Sequence, residues 1–158
     1  MSRTASAEVN IHASCVAIAG KCVLLLCASA SGKSDLALRL IDGGARLVAD
    51  DRTILRVKNG VLSASAPPSI RGLLEIRAVG IVKLPVRASA PVALVVELGR
   101  EGARLPDRCV WHPPAPLKPA RFPPQIALDA QFASTPARIR AALAAYRTGA
   151  FGDTFNQG

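Results

Sequence analysis

One pattern restricts the fold of this chain more than any other: an apolar run, then small residues, then helical periodicity. Residues 22–27 are apolar, residues 28–32 are small, and leucines recur over residues 36–41 ahead of two glycines. A strand that leads through a small-residue loop into a helix is typical of α/β proteins that bind phosphate, because the free amides and the dipole at the helix N-terminus attract anions. We therefore predict an α/β fold with an anion site at this junction.

The junction matches the phosphate-loop pattern G-x-x-x-x-G-K-S/T at its last three positions, but Cys27 replaces the first glycine. Lys33 is expected to contact the outer phosphates, and the Ser34 hydroxyl to bind Mg²⁺. A capped loop with an exposed lysine is the alternative, since Gly-Lys-Ser also occurs by chance. The residues predicted to bind the phosphates are Cys27, Ala28, Ser29, Ala30, Ser31, Gly32, Lys33 and Ser34.

Two adjacent carboxylates, Asp50 and Asp51, follow a short strand predicted at residues 46–49. Carboxylates at the same sheet edge as a phosphate loop hold Mg²⁺ or accept a proton from an attacking hydroxyl. Because successive strand residues point to opposite faces, one aspartate is expected to be the base and the other structural or metal-directed. A solvated Asp-Asp turn ahead of a hairpin is the alternative interpretation.

Two hairpins are predicted from apolar runs and turn residues. One turns at Gly20, and the other turns at Asn59-Gly60, a dipeptide that tolerates the positive φ angles of a two-residue turn. The predicted strands are residues 15–18, 22–27, 46–49, 53–58, 61–64 and 92–98.

The remaining segments give weaker patterns. The apolar residues over 36–41 predict a helix of about three turns that stops at Gly43 and Gly44, because glycine suits a C-terminal cap. Residues 70–75 are predicted as a loop or short turn, and residues 106–124, rich in proline, as a surface loop beyond the regular sheet. A closing helix is predicted from Pro136 or shortly before it to about Tyr146, with Thr135 as its N-cap and Pro136 at its first position.

The length of 158 residues predicts one domain rather than two. We expect a flexible start over residues 1–11, the domain over residues 12–147 and a flexible tail over residues 148–158. No apolar run approaches the roughly 18 to 20 residues of a membrane span, and the polar start does not resemble a signal peptide. A cytoplasmic protein with no membrane partner is therefore expected.

Four cysteines without a Cys-x-x-Cys pair predict reduced thiols that serve as small core residues. The net charge of +9 suits nucleic acid, an anionic membrane, phosphorylated ligands or an acidic protein partner. Only 4% of the residues are aromatic and the basic residues are scattered, so a nucleic-acid-binding domain is the least favoured class.

Several segments together resemble the catalytic domain of HPr kinase/phosphorylase. Their order and spacing agree over residues 12–132, and the Leu-Glu-Ile-Arg block is the most specific of them. The chain is similar to the short form without an N-terminal domain. The segments are His12, the phosphate loop, Leu47-Val48-Ala49-Asp50-Asp51-Arg52, Leu74-Glu75-Ile76-Arg77-Ala78-Val79-Gly80-Ile81 and Lys118-Pro119-Ala120-Arg121.

The resemblance implies a fold of the P-loop kinase type related to phosphoenolpyruvate carboxykinase, with a mixed sheet and helices. It implies an enzyme that phosphorylates a serine of the phosphocarrier protein HPr with ATP and Mg²⁺, and that in many members reverses this by phosphorolysis. Pyrophosphate is the alternative donor, and the family assembles as hexamers.

The resemblance also assigns roles to individual residues. Lys33 contacts phosphate, Ser34 and Glu75 hold the metal, and Asp51 accepts the proton of the substrate serine. His12 and Arg121 complete the catalytic group, with Arg121 neutralising charge on the transferring phosphoryl group.

This chain departs from the family where it replaces glycine by Cys27, Ala30, Ala78 and Ala120. An alanine in a left-handed phosphate loop costs on the order of 1 kcal/mol, which weakens nucleotide binding without abolishing it. A degenerate nucleotide- or phosphate-sensing module with little turnover is therefore the alternative function.

Overall fold

The computed structural model describes residues 7–27, 32–149 and 151. Within these residues, nine strands form one sheet, a separate hairpin forms a second, and two helices cover the first sheet. The strands are β1 Glu8–His12, β2 Ser14–Ile18, β3 Lys21–Cys27, β4 Arg46–Ala49, β5 Arg52–Lys58, β6 Val61–Ser65, β7 Leu73–Ile76, β8 Gly80–Lys83, β9 Ser89–Leu98, β10 Cys109–Val110 and β11 Pro124–Leu128. The helices are α1 Lys33–Asp42 and α2 Thr135–Thr148.

The large sheet is mixed and follows the order β1-β5-β6-β9-β3-β2-β4, with β11 on β9 and β10 on β11. β3 runs parallel to β9, and β9 runs parallel to β11. β4 also runs in the direction of β3, because each is antiparallel to β2. The carboxyl ends of β3, β4, β9 and β11 therefore meet at one edge of the sheet, as the predicted α/β fold requires.

Helix α1 follows the predicted pattern. Its buried face of Leu36, Ala37 and Leu40 packs against the sheet and against Ile139 of α2 in one core. Gly43 is the C-cap, as predicted, and its amide donates a 3.2 Å hydrogen bond to the Arg39 carbonyl. This packing fixes the N-terminus of α1 at the carboxyl edge of the sheet.

The opposite face of the sheet forms a second core, whose buried leucines are Leu24, Leu55, Leu62 and Leu117. The Asn59-Gly60 hairpin that carries two of these leucines is confirmed, and both turn residues have positive φ, 53° and 78°. β5 begins directly after Asp51, so this hairpin leaves from the edge that carries the two aspartates.

Three expectations from the sequence need correction. Residues 70–75 include most of β7, which pairs with β8 and buries Leu74. The proline-rich loop contains β10, and β11 follows it as a parallel neighbour of β9. The sequence hides these strands because they are short and lack alternation. The predicted flexible start, residues 1–11, is ordered over Glu8–His12 as β1, where backbone pairing with β5 outweighs the polar composition.

The helix ends differ slightly from the prediction. Ser134, not Thr135, is the N-cap of α2, and the helix continues to Thr148, the first residue of the predicted tail. Within that tail Phe151 contacts the Tyr146 ring at a centroid distance of 4.7 Å. No helix among residues 7–27, 32–149 and 151 is long and apolar enough to cross a membrane.

The expectation of reduced thiols is wrong for two of the four cysteines. Cys15 and Cys22 are fully buried, as expected, but a disulfide joins them. They lie diagonally on the paired strands β2 and β3, with a Cα–Cα distance of 6.4 Å, which is within the range that disulfides span.

Candidate active site

The candidate site lies where three connections reach the same sheet edge. β1 passes into β2 at Ala13, β4 passes into β5 at Asp50 and Asp51, and β3 leads towards the start of α1. The Ala13 amide donates a 3.0 Å hydrogen bond to the Asp51 carbonyl, which joins two of these connections. The sheet topology thereby brings residues far apart in the sequence onto one surface.

A histidine lies between a lysine and a carboxylate on this surface. The Nε2 atom of His12 lies 2.6 Å from Oδ1 of Asp51 and 3.0 Å from Nζ of Lys33. Lys33 is only 2% exposed, because it belongs to the buried face of the first turn of α1. The side chains of His12 and Asp51 remain open to solvent, so the Asp51 carboxylate is accessible from outside the protein.

A second group of hydrogen bonds surrounds Asp50. Oδ1 of this carboxylate accepts a 2.7 Å hydrogen bond from the Ser34 hydroxyl and a 3.0 Å one from the Ser14 hydroxyl. Oδ2 accepts a longer hydrogen bond, 3.4 Å, from the backbone amide of Glu75. With 9% of its surface exposed, Asp50 ties β2, α1 and β7 to the end of β4.

The two adjacent aspartates lie in different surroundings, and a turn between β4 and β5 separates them rather than strand alternation. Asp51 has a positive φ of 65°, which turns it out of the strand direction, and its side chain is 63% exposed. A left-handed conformation at a non-glycine residue costs about 1 kcal/mol or more and is concentrated at functional sites. The amide of Asp51 donates a 3.0 Å hydrogen bond to the Ser14 hydroxyl, which holds the turn. Asp51 is therefore the exposed carboxylate of the pair, and Asp50 is the nearly buried and hydrogen-bonded one.

The hydroxyl of Ser34 and the carboxylate of Asp50 form a donor pair that suits Mg²⁺. Mg²⁺ is commonly held by one or two protein oxygens together with waters and substrate phosphates. The described part of the chain contains no group of three His, Cys, Asp or Glu side chains placed to hold a metal ion. Glu75 meets Asp50 through its backbone amide, while the residue itself is exposed.

Arg121, predicted to be catalytic, is not brought to this group within the chain. Its neighbour Ala120 donates a 2.8 Å hydrogen bond to the Gly60 carbonyl, at the far end of the β5–β6 hairpin. β5 starts opposite His12 and runs seven residues to Lys58, a span of about 20 Å at roughly 3.3 Å per residue. The structure does not bring Arg121 to this group within one chain, because the proline-rich segment packs against the hairpin turn rather than at the sheet edge, and its catalytic role stays a prediction.

The phosphate loop is described only at its two ends. Cys27 ends β3 and Gly32 precedes α1 with a φ of 98°, a backbone conformation that favours glycine. An added Cβ at Gly32 would lie 3.0 Å from the Cβ of Ala130, so the loop entrance is also closely packed. Of the residues predicted to bind phosphate, Ala28, Ser29, Ala30 and Ser31 lie outside the described residues.

Ser14 contributes to the site and was not anticipated from the sequence. It is fully buried, accepts the Asp51 amide and donates to Asp50. The sequence feature that could have pointed to Ser14 is a lone hydroxyl at the start of an otherwise apolar strand. A buried hydroxyl of this kind needs hydrogen-bond partners. That signal shows that partners exist but does not identify them.

Comparisons with known proteins give a consistent result for this region. The family model described as the HPr serine kinase C-terminal domain matches residues 3–102, which include both hydrogen-bonded groups. The chain is 40% identical over 99 residues to the HPr kinase/phosphorylase of Caldanaerobacter subterraneus subsp. tengcongensis, covering 58% of this chain and 32% of that protein. It is 43% identical over 97 residues to the HPr kinase/phosphorylase of Brevibacillus brevis, covering 56% of this chain and 31% of that protein. The chain thus spans about a third of the length of these curated relatives.

A solved structure matches over more of the fold. The structure of the Hpr(Ser) kinase/phosphatase from Coxiella burnetii superposes with a TM-score of 0.69 at 26% sequence identity. The match covers 89% of this chain and 97% of that chain.

Proposed function

The chain belongs to the family of HPr serine kinase C-terminal domains, and on that premise we propose that it transfers a phosphoryl group from ATP to a serine of the phosphocarrier protein HPr. The observation that supports this most is the His12–Asp51–Lys33 group, which places an exposed carboxylate beside a buried ammonium. Phosphoryl transfer depends on positioning and on cations that offset charge, and these residues supply both.

The proposed forward reaction starts with the substrate serine at Asp51. The serine oxygen attacks the terminal phosphorus in line with the leaving oxygen, and its proton passes to the Asp51 carboxylate. Lys33 donates hydrogen bonds to the phosphate oxygens and offsets their charge. Ser34 and Asp50 would hold Mg²⁺, which supplies further positive charge at the phosphates when bound.

The proposed reverse reaction uses the same residues. An oxygen of inorganic phosphate attacks the phosphorus of phosphoserine, and the bond between the serine oxygen and that phosphorus breaks. The protonated Asp51 returns its proton to the serine oxygen, and pyrophosphate is the product. Pyrophosphate is accordingly a second donor for the forward direction.

We place the single kinase domain at residues 8–149, extending the predicted 12–147 at both ends to include β1 and the C-cap of α2. We also propose that this domain acts as a homo-oligomer, a hexamer by resemblance to the family. Analytical ultracentrifugation of the purified chain measures that state directly, and a monomer at all concentrations would contradict it.

The test of the proposed function is incubation of the purified chain with MgATP and HPr, followed by mass spectrometry of HPr. Phosphoserine on HPr supports the proposal. Nucleotide binding without transfer would assign the chain to a sensing module, which the missing glycine at Cys27 favours. Tight salt-sensitive binding of DNA or RNA, with no nucleotide binding, would favour the nucleic-acid-binding alternative.

A further inference from the structure

Hydrogen bonds join the connection between β1 and β2 to the turn between β4 and β5. The Ala13 amide donates to the Asp51 carbonyl at 3.0 Å, and the Asp51 amide donates to the Ser14 hydroxyl at 3.0 Å. Both main-chain polar groups of Asp51 therefore bond to the two residues that follow His12. This anchors the backbone of Asp51 to the connection that carries the histidine.

Thr53, the second residue of β5, adds a bond to the same connection. Its hydroxyl donates a 2.9 Å hydrogen bond to the Ala13 carbonyl, and both residues are fully buried. The next residue on the same face of β5 is Leu55, which belongs to the second core. A buried hydroxyl costs stability unless it is hydrogen-bonded, so the bond to Ala13 accounts for a threonine at a position that suits an apolar side chain.

These bonds matter because the two side chains that they place are open to solvent. The side chains of His12 and Asp51 are 44% and 63% exposed, so packing does little to hold them. Asp51 also has a φ of 65°, and a left-handed conformation at a non-glycine residue persists only where the surrounding structure holds it. The 2.6 Å contact between His12 and Asp51 thus depends on the bonds of the buried residues behind it.

We propose that Thr53 is a positioning residue for phosphoryl transfer: its hydroxyl, through the Ala13 carbonyl, sets the placement of His12 against Asp51. This inference rests on the proposed function, in which Asp51 accepts the proton of the substrate serine. A reacting group that is misplaced by about 1 Å costs about a hundredfold in rate. Thr53 acts through Asp51 and not by contact with the reactants, because it is fully buried.

The test compares matched substitutions of two buried threonines. Thr53→Val keeps the shape of the side chain and removes its hydroxyl, whereas Thr53→Ser keeps the hydroxyl. The control is Thr135→Val at the start of α2, because Thr135 is also fully buried and its hydroxyl donates a 2.6 Å hydrogen bond to the backbone carbonyl of Asp129. Both valine variants lose one such bond, so a general loss of stability affects both. If Thr53→Val does not fold, Ser14→Ala takes its place, because it removes the other hydroxyl that holds this turn.

The first readout is the single-turnover rate of phosphoserine formation on HPr with saturating MgATP. We expect Thr53→Val to lower this rate by about three- to tenfold, and Thr53→Ser and Thr135→Val to leave it unchanged within about twofold. In an Asp51→Asn background, Thr53→Val should lower the rate by less than about twofold, because the carboxylate that it places is absent. Equal losses from Thr53→Val in the two backgrounds, or a loss no greater than that of Thr53→Ser or Thr135→Val, would overturn the inference and leave the proposed function standing.

The second readout needs no activity. The chain has two histidines, so comparison with His112→Ala assigns the ring resonances of His12 in NMR spectra of the protein without ligands. We expect Thr53→Val to shift the His12 ring resonances and Thr135→Val to leave them unchanged. Unchanged His12 resonances in Thr53→Val would overturn the inference. If the unchanged chain forms no phosphoserine, the proposed function fails, and the NMR comparison still tests whether Thr53 places His12.

Discussion

The Nε2 atom of His12 lies 2.6 Å from Oδ1 of Asp51, although 39 positions separate the two residues in the sequence. The same nitrogen lies 3.0 Å from Nζ of Lys33. A ring nitrogen carries either a proton or a lone pair, so it donates to Asp51 or accepts from Lys33 but does not do both at once. His12 thereby links the carboxylate that receives the proton to the ammonium that contacts the phosphates.

The first prediction concerns that link. His12→Ala removes the group that orients Asp51, so we expect kcat for transfer to HPr to fall by about tenfold or more, with little change in the KM for MgATP. Steady-state kinetics measure kcat and KM separately and so distinguish the two effects. His112→Ala, at an exposed histidine on the proline-rich segment, is the control and should leave both constants unchanged. A rise in KM alone would show that His12 acts in binding and not in orientation.

Ser14 supplies the second prediction. Ser14→Ala removes one donor to Asp50 and the acceptor of the Asp51 amide; the first of these hydrogen bonds is buried and the second is partly buried. We expect the free energy of unfolding to fall by about 1–3 kcal/mol, measured in urea. Ser63→Ala, at a half-buried position of β6, should change the free energy of unfolding by less than about 0.5 kcal/mol. Equal losses for the two variants would contradict the role given to Ser14.

The third prediction uses the turn between β7 and β8. The Val79 amide donates to the Ile76 carbonyl at 3.0 Å, and Ala78 has a positive φ of 66°, as in a type II turn that prefers glycine at its third position. Ala78→Gly should therefore raise the free energy of unfolding by about 0.5–1 kcal/mol. Ala88→Gly, whose residue is not among those with positive φ, should lower it. Stabilisation by both variants would contradict the explanation.

The fourth prediction concerns alkaline pH. Burial raises the pKa of Tyr146, the single tyrosine, although the nearby Arg108 acts in the opposite direction. Below its ordinary pKa of about 10 the phenol is neutral in both states, and above it the unfolded chain ionises first, so stability falls as pH rises through that region. In Tyr146→Phe the part of the stability loss that comes from ionisation of the phenol is absent. Urea unfolding of both proteins at about pH 8 and about pH 11 measures the difference; parallel losses would contradict it.

Much of the fold follows from local sequence. The Asn59-Gly60 turn, the strand that ends at Cys27 and the helix that ends at Gly43 each carry their own turn or cap residues, and all were predicted. Strand β11 could not be predicted in this way, because its pairing with β9 depends on a contact made across a proline-rich loop. Local pattern carries no information about such a contact.

The candidate site was predictable only in part for the same reason. Lys33, Ser34 and the Asp50-Asp51 pair lie in recognisable local patterns, whereas the approach of His12 to Asp51 depends on the pairing of β1 with β5. The distance of Arg121 from this group was also hidden, since a motif gives the order of residues along the chain and not their separation in space. The apolar run after Ser14 indicates that its hydroxyl is buried but does not identify the groups to which it is hydrogen-bonded.

The central claim is that Asp51 accepts the proton of a serine hydroxyl during transfer to HPr. The most direct measurement is the single-turnover rate of phosphoserine formation with saturating MgATP, compared between the unchanged chain, Asp51→Asn and the exposed control Asp42→Asn. We predict that Asp51→Asn lowers this rate by about a hundredfold or more while calorimetry shows MgATP binding retained, and that Asp42→Asn lowers neither. Phosphoserine formation by Asp51→Asn at the rate of the unchanged chain would contradict the claim.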